Sequence, residues 1–193
     1  RLVPEKRPDL LVEAFRTLKP KNWKLVIAGG VSNTKSFTSE LLEKVADDHN
    51  ILFAGELRGA RLAEIVRGAG LFVLPSDIEG LPLAMLEAMQ EGIPIVASDI
   101  PPHRQLIGDD RGVLFEAGNL NSFIAALKKA TNNSDEMKFV ASEAQQYVKQ
   151  NYNWDLITSQ YLHLYSKTLN APDFSPTLQS GFKKLEQMYL KNR

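Results

Sequence analysis

The sequence predicts an α/β fold, a parallel sheet flanked on both faces by helices, with extra helices gathered at the carboxyl end. Two observations carry this. Short apolar runs of strand length alternate with longer stretches whose apolar residues recur at helical spacing, the pattern of βα units feeding a parallel sheet. After Phe115 the strand signals stop while helical spacing continues. With 193 residues, 44% of them hydrophobic and 24% charged, the chain has enough apolar material for a core in one domain with an appendage.

The elements follow in order. Residues 1–3, Arg-Leu-Val, begin with neither a Met nor a polar end and read as the stump of a strand in a trimmed sequence. Leu10, Leu11, Ala14, Phe15 and Leu18 then share one helical face, and Leu62, Ile65, Val66 and Ala69 repeat the stripe, so both helices are expected to pack on the sheet. Strands are expected at 24–28, 51–54, 71–74 and 95–97, with a fifth at 112–115. Asn119 suits an N-cap for a helix carrying Leu120, Phe123, Ile124 and Leu127. Two more helices carry Met137, Val140, Ala144 and Val148, then Trp154, Ile157, Tyr161, Leu164 and Tyr165. Residues 170–176 hold two prolines, an Asn and an Asp and read as a linker. Leu178, Phe182, Leu185 and Tyr189 form a last stripe, a tail helix that docks on its own domain or on a partner. The boundaries are a domain over 1–170 and a linker with tail helix over 171–193.

Charge and composition exclude several classes. Lys plus Arg and Asp plus Glu both number 23, so no net field draws the chain to nucleic acid or acidic lipid. Without cysteine there is no disulfide scaffold, Cys-based zinc site or thiol chemistry. No apolar run reaches the roughly 18–20 residues that span a bilayer, and no signal segment precedes the fold, so the expected location is the cytoplasm. His49, His103 and His163 lack a second ligand at helical spacing, so no metal is expected; His103 reads as a surface residue.

In an open parallel sheet, ligands bind where strands lead into helices, and that rule selects three places. Ala28-Gly29-Gly30-Val31 follows a strand, and its glycines allow close backbone approach or simply a turn; the spacing of a nicotinamide fingerprint is lacking. Pro75-Ser76-Asp77-Ile78-Glu79-Gly80-Leu81-Pro82 enters a helix at its positive end, where free N–H groups hold an anion and Gly80 lets a phosphate or sugar come close. Glu79 before this helix and Glu87 inside it place a carboxylate on each side of such a ligand; each reads equally as an ordinary helix charge. Arg1 and Lys6 flank the first loop and are suited to neutralise phosphate oxygens, or stand as solvated charges.

These residues resemble the C-terminal half of the GT-B glycosyltransferases of family 4, or glycosyltransferase group 1. The match runs from Arg1-Leu2-Val3-Pro4-Glu5-Lys6 through Leu71-Phe72-Val73-Leu74-Pro75-Ser76 to Glu79-Gly80-Leu81-Pro82-Leu83-Ala84-Met85-Leu86-Glu87-Ala88-Met89. It continues through Gly92-Ile93-Pro94-Ile95-Val96-Ala97-Ser98-Asp99 and Arg111-Gly112-Val113-Leu114-Phe115 to the Trp154 helix. The resemblance implies a Rossmann-like domain that binds a UDP-, GDP- or ADP-sugar and faces an N-terminal Rossmann-like domain, absent here, that binds the acceptor. The implied enzyme is a retaining hexosyltransferase acting on a hydroxyl acceptor in polysaccharide, lipid or glycoconjugate synthesis, without cofactor or metal. The isolated domain is expected to bind without turning over, and membrane contact to come only through the missing half, at the inner surface. Two alternatives stay open: a noncatalytic nucleotide-sugar or regulatory module, and a nucleotide-sugar epimerase of the same architecture.

By the family's pattern Arg1 and Lys6 hold the donor diphosphate, Glu79 contacts hydroxyls of the transferred sugar and Glu87 accepts from the ribose. The main chain around Gly80, Leu81, Pro82 and Leu83 completes the cradle; the segment Gly55 to Arg58, with Glu56, Leu57 and Arg58, matches the loop that flanks the base; and Gly29 and Gly30 stand as further donor-binding candidates. Two departures stand out. Arg7 and Pro8 replace a frequent Gly, with Arg7 read as pointing to solvent, and Gln105 replaces a frequent Glu.

Overall fold

Each expected strand is present, differing by one residue at one end: β1 (Leu25–Ala28), β2 (Ile51–Gly55), β3 (Phe72–Leu74), β4 (Ile95–Ser98) and β5 (Val113–Phe115). This computed structural model describes residues 1–31 and 35–169 together with 180, 181, 183 and 187. All pairings are parallel, but they build two sheets instead of one: β1 with β2, and β3, β4 and β5 in that order. Residues 1–3 contribute a single parallel bridge, Leu2 to Val31, with Leu2 and Val3 buried. At the amino ends the sheets approach each other through Trp23, whose ring lies so close to Gly70 that a Cβ there would stand 3.0 Å away.

The helices are α1 (Pro8–Leu18), α2 (Lys35–Val45), α3 (Gly59–Arg67), α4 (Leu83–Gln90), α5 (Pro101–Ile107), α6 (Leu120–Asn132), α7 (Ser134–Asn151) and α8 (Trp154–Leu169). The chain divides into two compact units, Arg1–Gln146 and Tyr147–Arg193. In the first, β4 is buried along its whole length, as a central strand covered on both faces must be. Leu10, Leu11 and Ala14 of α1 join Phe123, Leu127 and Ala130 of α6 in a core that also holds Leu25, Ile27, Val96 and Phe115. Phe115 and Phe123 stack with centroids 4.1 Å apart. Asn119 caps α6, its side-chain oxygen accepting from the Ser122 N–H at 3.1 Å.

One expected packing fails. Helix α3 buries none of its residues, and Ile65 is 39% exposed. The reason is topological: α3 connects β2 to β3, which belong to different sheets, so no continuous sheet face lies beneath its stripe. In the second unit α8 likewise has no fully buried residue. The expected linker at 170–176 and the stripe Leu178, Phe182, Leu185 and Tyr189 lie outside the described residues.

Truncating the stacked, fully buried ring in Phe123→Ala is expected to cost about 3–5 kcal/mol. Removing the cap in Asn119→Ala is expected to cost about 1 kcal/mol. Urea unfolding monitored by circular dichroism measures both.

Candidate functional site

Because each sheet is parallel, its strands deliver their loops to one edge. The first residues of the chain strap two such loops together. The Leu2 N–H donates to the Gly30 carbonyl at 2.9 Å, past the end of β1. A 3-10 turn, Pro4–Lys6, follows, and the Glu5 carbonyl accepts from the Asp77 N–H at 2.9 Å, past the end of β3. One short segment is thereby stitched to strands of both sheets.

At the end of that turn the Lys6 ammonium Nζ stands 2.6 Å from Glu79 Oε1. The same oxygen accepts from the Ser76 hydroxyl at 2.8 Å. The Glu79 side chain is only 9% exposed, against 30% for Lys6, so the carboxylate is met by a charged and a neutral donor largely out of water. Arg7 has a left-handed backbone, φ 50° and ψ 44°, between the 3-10 turn and α1. Its guanidinium lies 3.4 Å from both Asp9 and Asp77, which corrects the expectation that it points to solvent: one carboxylate in the first turn of α1 and one in the loop after β3 hold it.

Helix α4 starts at Leu83 with Pro82 as its N-cap residue; no side chain caps it and its first turn carries no acidic residue. The Leu83 N–H is taken by the Leu81 carbonyl at 2.9 Å, and Pro82 has no N–H, so Gly80, Leu81 and Ala84 are the residues whose amides a ligand at this mouth would meet. A Cβ at Gly80 would meet nothing within 4 Å, so the approach is open. Glu87 projects from the exposed side of α4 and, with Gly59, Leu62, Ala63, Val66, Gln90 and Glu91, lines a hollow of about 290 Å³.

The other marked residues lie on the segments after β1 and β2, at the start of the chain and on α5. The Gly29 N–H donates to the Gly55 carbonyl at 2.8 Å, and a Cβ at Gly30 would stand 3.2 Å from the Glu56 carboxylate, so both glycines permit close strand-end packing. Glu56 pairs with Arg58 at 2.5 Å in the exposed loop after β2, with Leu57 half-buried between them. The Arg1 main chain lies against Gly29; its side chain is exposed and makes no ion pair among the described residues. Gln105 is exposed on α5.

His103 is a second residue that sequence reasoning placed wrongly. It is fully buried in α5, which the prolines Pro101 and Pro102 open. His103, Leu106 and Ile107 fall at i, i+3 and i+4, the one signal that marks it as core-facing. Its Nδ1 lies 2.9 Å from the Ser98 carbonyl and 3.2 Å from the Ser98 hydroxyl, and Ser98 Oγ donates to the Ser76 carbonyl. Its Nε2 is buried without a hydrogen-bond partner. Burial holds the imidazole pKa below its ordinary 6.5, outweighing the opposite pull of the Ser98 carbonyl and of the Glu79 charge; the Lys6 charge adds to the lowering. Among the described residues no group of three or more His, Asp or Glu is placed to hold a metal, and no helix is long and apolar enough to cross a membrane.

Comparison with known proteins identifies the family and the fold. The family model for glycosyl transferases group 1 matches residues 1–154, and the chain belongs to that family. An uncharacterized glycosyltransferase of Methanocaldococcus jannaschii is 26% identical over 167 residues, covering 86% of this chain and 43% of the relative. A D-inositol 3-phosphate glycosyltransferase of Gordonia bronchialis is 28% identical over 182 residues, covering 89% of this chain and 40% of the relative. The chain therefore spans less than half the length of these curated relatives. Among solved structures, a glycosyltransferase from Rickettsia africae superposes with a TM-score of 0.82 at 19% identity, covering 89% of this chain and 46% of that one. The Anabaena protein HepE, crystallised with UDP and glucose, superposes at 0.78 and 20% identity, covering 86% and 46%. The fold is the expected one: Rossmann-like parallel sheets flanked by helices, with further helices at the carboxyl end.

The depressed His103 pKa fixes the sign of a pH effect. Unfolded, the imidazole takes a proton near pH 6.5; folded, it resists. Its contribution is full above that value and is lost as pH falls below it, by about 1.4 kcal/mol for each unit of difference between the two states. Urea unfolding between pH 7.5 and 5 is expected to show this loss in the wild type and a shallower one in His103→Asn; equal slopes would contradict it.

Proposed function

We propose that this chain is the donor-binding part of a retaining glycosyltransferase that moves a hexose from a nucleoside diphosphate sugar to a hydroxyl acceptor, in polysaccharide, lipid or glycoconjugate synthesis. The observation that carries the reading is the meeting of Lys6 and Glu79 beside the uncapped start of α4. A diphosphate at that mouth gains a cation and main-chain amides, with Arg1 as the second cation; the sugar beyond it gains a carboxylate.

That division suits the reaction. Breaking the bond between an anomeric carbon and a phosphate oxygen develops negative charge on the diphosphate and positive character on the sugar. Lys6, Arg1 and the helix dipole stabilise the first without a metal. Glu79 orients a sugar hydroxyl and opposes the second, and Glu87 accepts from the ribose. Lys6 pairs with Glu79, so a donor diphosphate takes over part of the bonding of Lys6. Glu56, Leu57 and Arg58 border the base, Gly29 and Gly30 keep its approach open, and a second Rossmann-like domain supplies the acceptor.

Related proteins support the donor class. HepE was crystallised with UDP-glucose, and an Escherichia coli relative 31% identical over 140 residues is named for transfer from UDP-Gal. Calorimetry of this chain with UDP, GDP and ADP is expected to find one that binds. Lys6→Ala and Glu87→Ala are each expected to weaken that binding by about 1–3 kcal/mol. Unchanged affinity in both variants would remove the site assignment.

A further inference from the structure

Four residues, one on α5, one at the end of β4 and two in the loop before α4, form a continuous polar chain: His103 to Ser98, Ser98 to the main chain of Ser76, and the Ser76 side chain to Glu79. Its first member is fully buried with an unpartnered Nε2, and its last receives Lys6. Directions along this chain are fixed by elementary bookkeeping. The Ser98 carbonyl can only accept, so its 2.9 Å contact requires the proton on His103 Nδ1. With a proton there, the Ser98 hydroxyl, 3.2 Å away, cannot donate to Nδ1, and its own proton goes to the Ser76 carbonyl. That bond pins the peptide of Ser76, whose hydroxyl is then left to face the Glu79 carboxylate at 2.8 Å. Ser76 and Ser98 are themselves fully buried, so water does not substitute for either bond.

We propose that His103 is a positioning residue for Glu79: its Nδ1–H tautomer sets the Ser98 hydroxyl as a donor, and Ser98 in turn fixes the Ser76 loop that presents the carboxylate. The unpaired Nε2 is a consequence, since a neutral imidazole committed at Nδ1 has only a bare acceptor left. Nothing in the scheme needs that nitrogen to touch a ligand. The inference about Glu79's orientation stands on these hydrogen bonds; that the oriented carboxylate serves a sugar rests on the function proposed above.

The test separates the two. In ligand-free full-length chain, the side-chain carboxyl 13C resonance of Glu79, assigned with Glu79→Gln, reports the hydrogen bonding of that group. Asn keeps an N–H donor near the place of Nδ1, Gln moves it to the place of Nε2, and Leu removes it. The expected result is a shifted resonance in His103→Leu and His103→Gln and a near-native one in His103→Asn. A resonance unmoved in all three, or moved equally in all three, overturns the proposal, and the Asn–Gln contrast stands even if the Leu variant fails to fold. Calorimetry then compares a nucleoside diphosphate with its sugar conjugate, using whichever of UDP-glucose, GDP-mannose and ADP-glucose the wild type binds. His103→Gln is expected to weaken the conjugate roughly tenfold and leave the diphosphate unchanged. A wild type that binds none of them counts against the proposed function and leaves the carboxyl result to decide the role of His103.

Discussion

A carboxylate taken largely out of water must be met by donors or the site that buries it loses stability. Glu79 is met by two, the Lys6 ammonium and the Ser76 hydroxyl, on a single oxygen. Much else at this edge serves that requirement. Lys6 reaches Glu79 because the chain's first residues are stitched to Gly30 at one end and Asp77 at the other. Ser76 reaches it because its peptide is bonded to Ser98, and Arg7 bridges to Asp77 from the opposite side. The ion pair is partly screened where Lys6 is exposed, so its importance lies in placing charge rather than in global stability.

The fold supplies the frame for this arrangement. Parallel strands put the loops of β3 and β4 side by side, which makes the contact between Ser98 and Ser76 possible. The same rule holds β1 beside β2, bringing Gly29 against Gly55 and Gly30 against Glu56. Two sheets are joined by a shared core and by the strap at the start of the chain, and the helix dipole of α4 is left for something other than a protein side chain. An enzyme that handles a dianionic leaving group has use for such an end.

Strand positions were legible in the sequence because each strand shows as a short unbroken apolar run, although only β4 is buried on both faces. The Asn119 cap was legible because capping is a local bond. The division into two sheets was not, since which strand pairs with which is a long-range choice that periodicity does not encode, and the misplaced expectation for α3 follows from it. Lys6 and Glu79 were each marked from chemistry, yet their pairing was not foreseen; the strap through Glu5 and Asp77 is main-chain bonding and leaves no residue-type signal. Arg7 was misjudged because its left-handed backbone turns it toward Asp77. His103 was misjudged because attention to isolated histidines overlooked its spacing with Leu106 and Ile107.

We propose that an anionic nucleotide seats at the mouth of α4 beside Lys6. Amide and lysine-ammonium chemical-shift mapping of the full chain, titrated with the nucleoside diphosphate it binds, tests this most directly. The account predicts shifts centred on Lys6, Gly80, Leu81 and Ala84, extending to Glu87. Shifts centred instead on the hollow of about 440 Å³ at the amino ends of β1 and β2, lined by Lys24, Val26, Leu42, Asp48, His49 and Leu52, would contradict it.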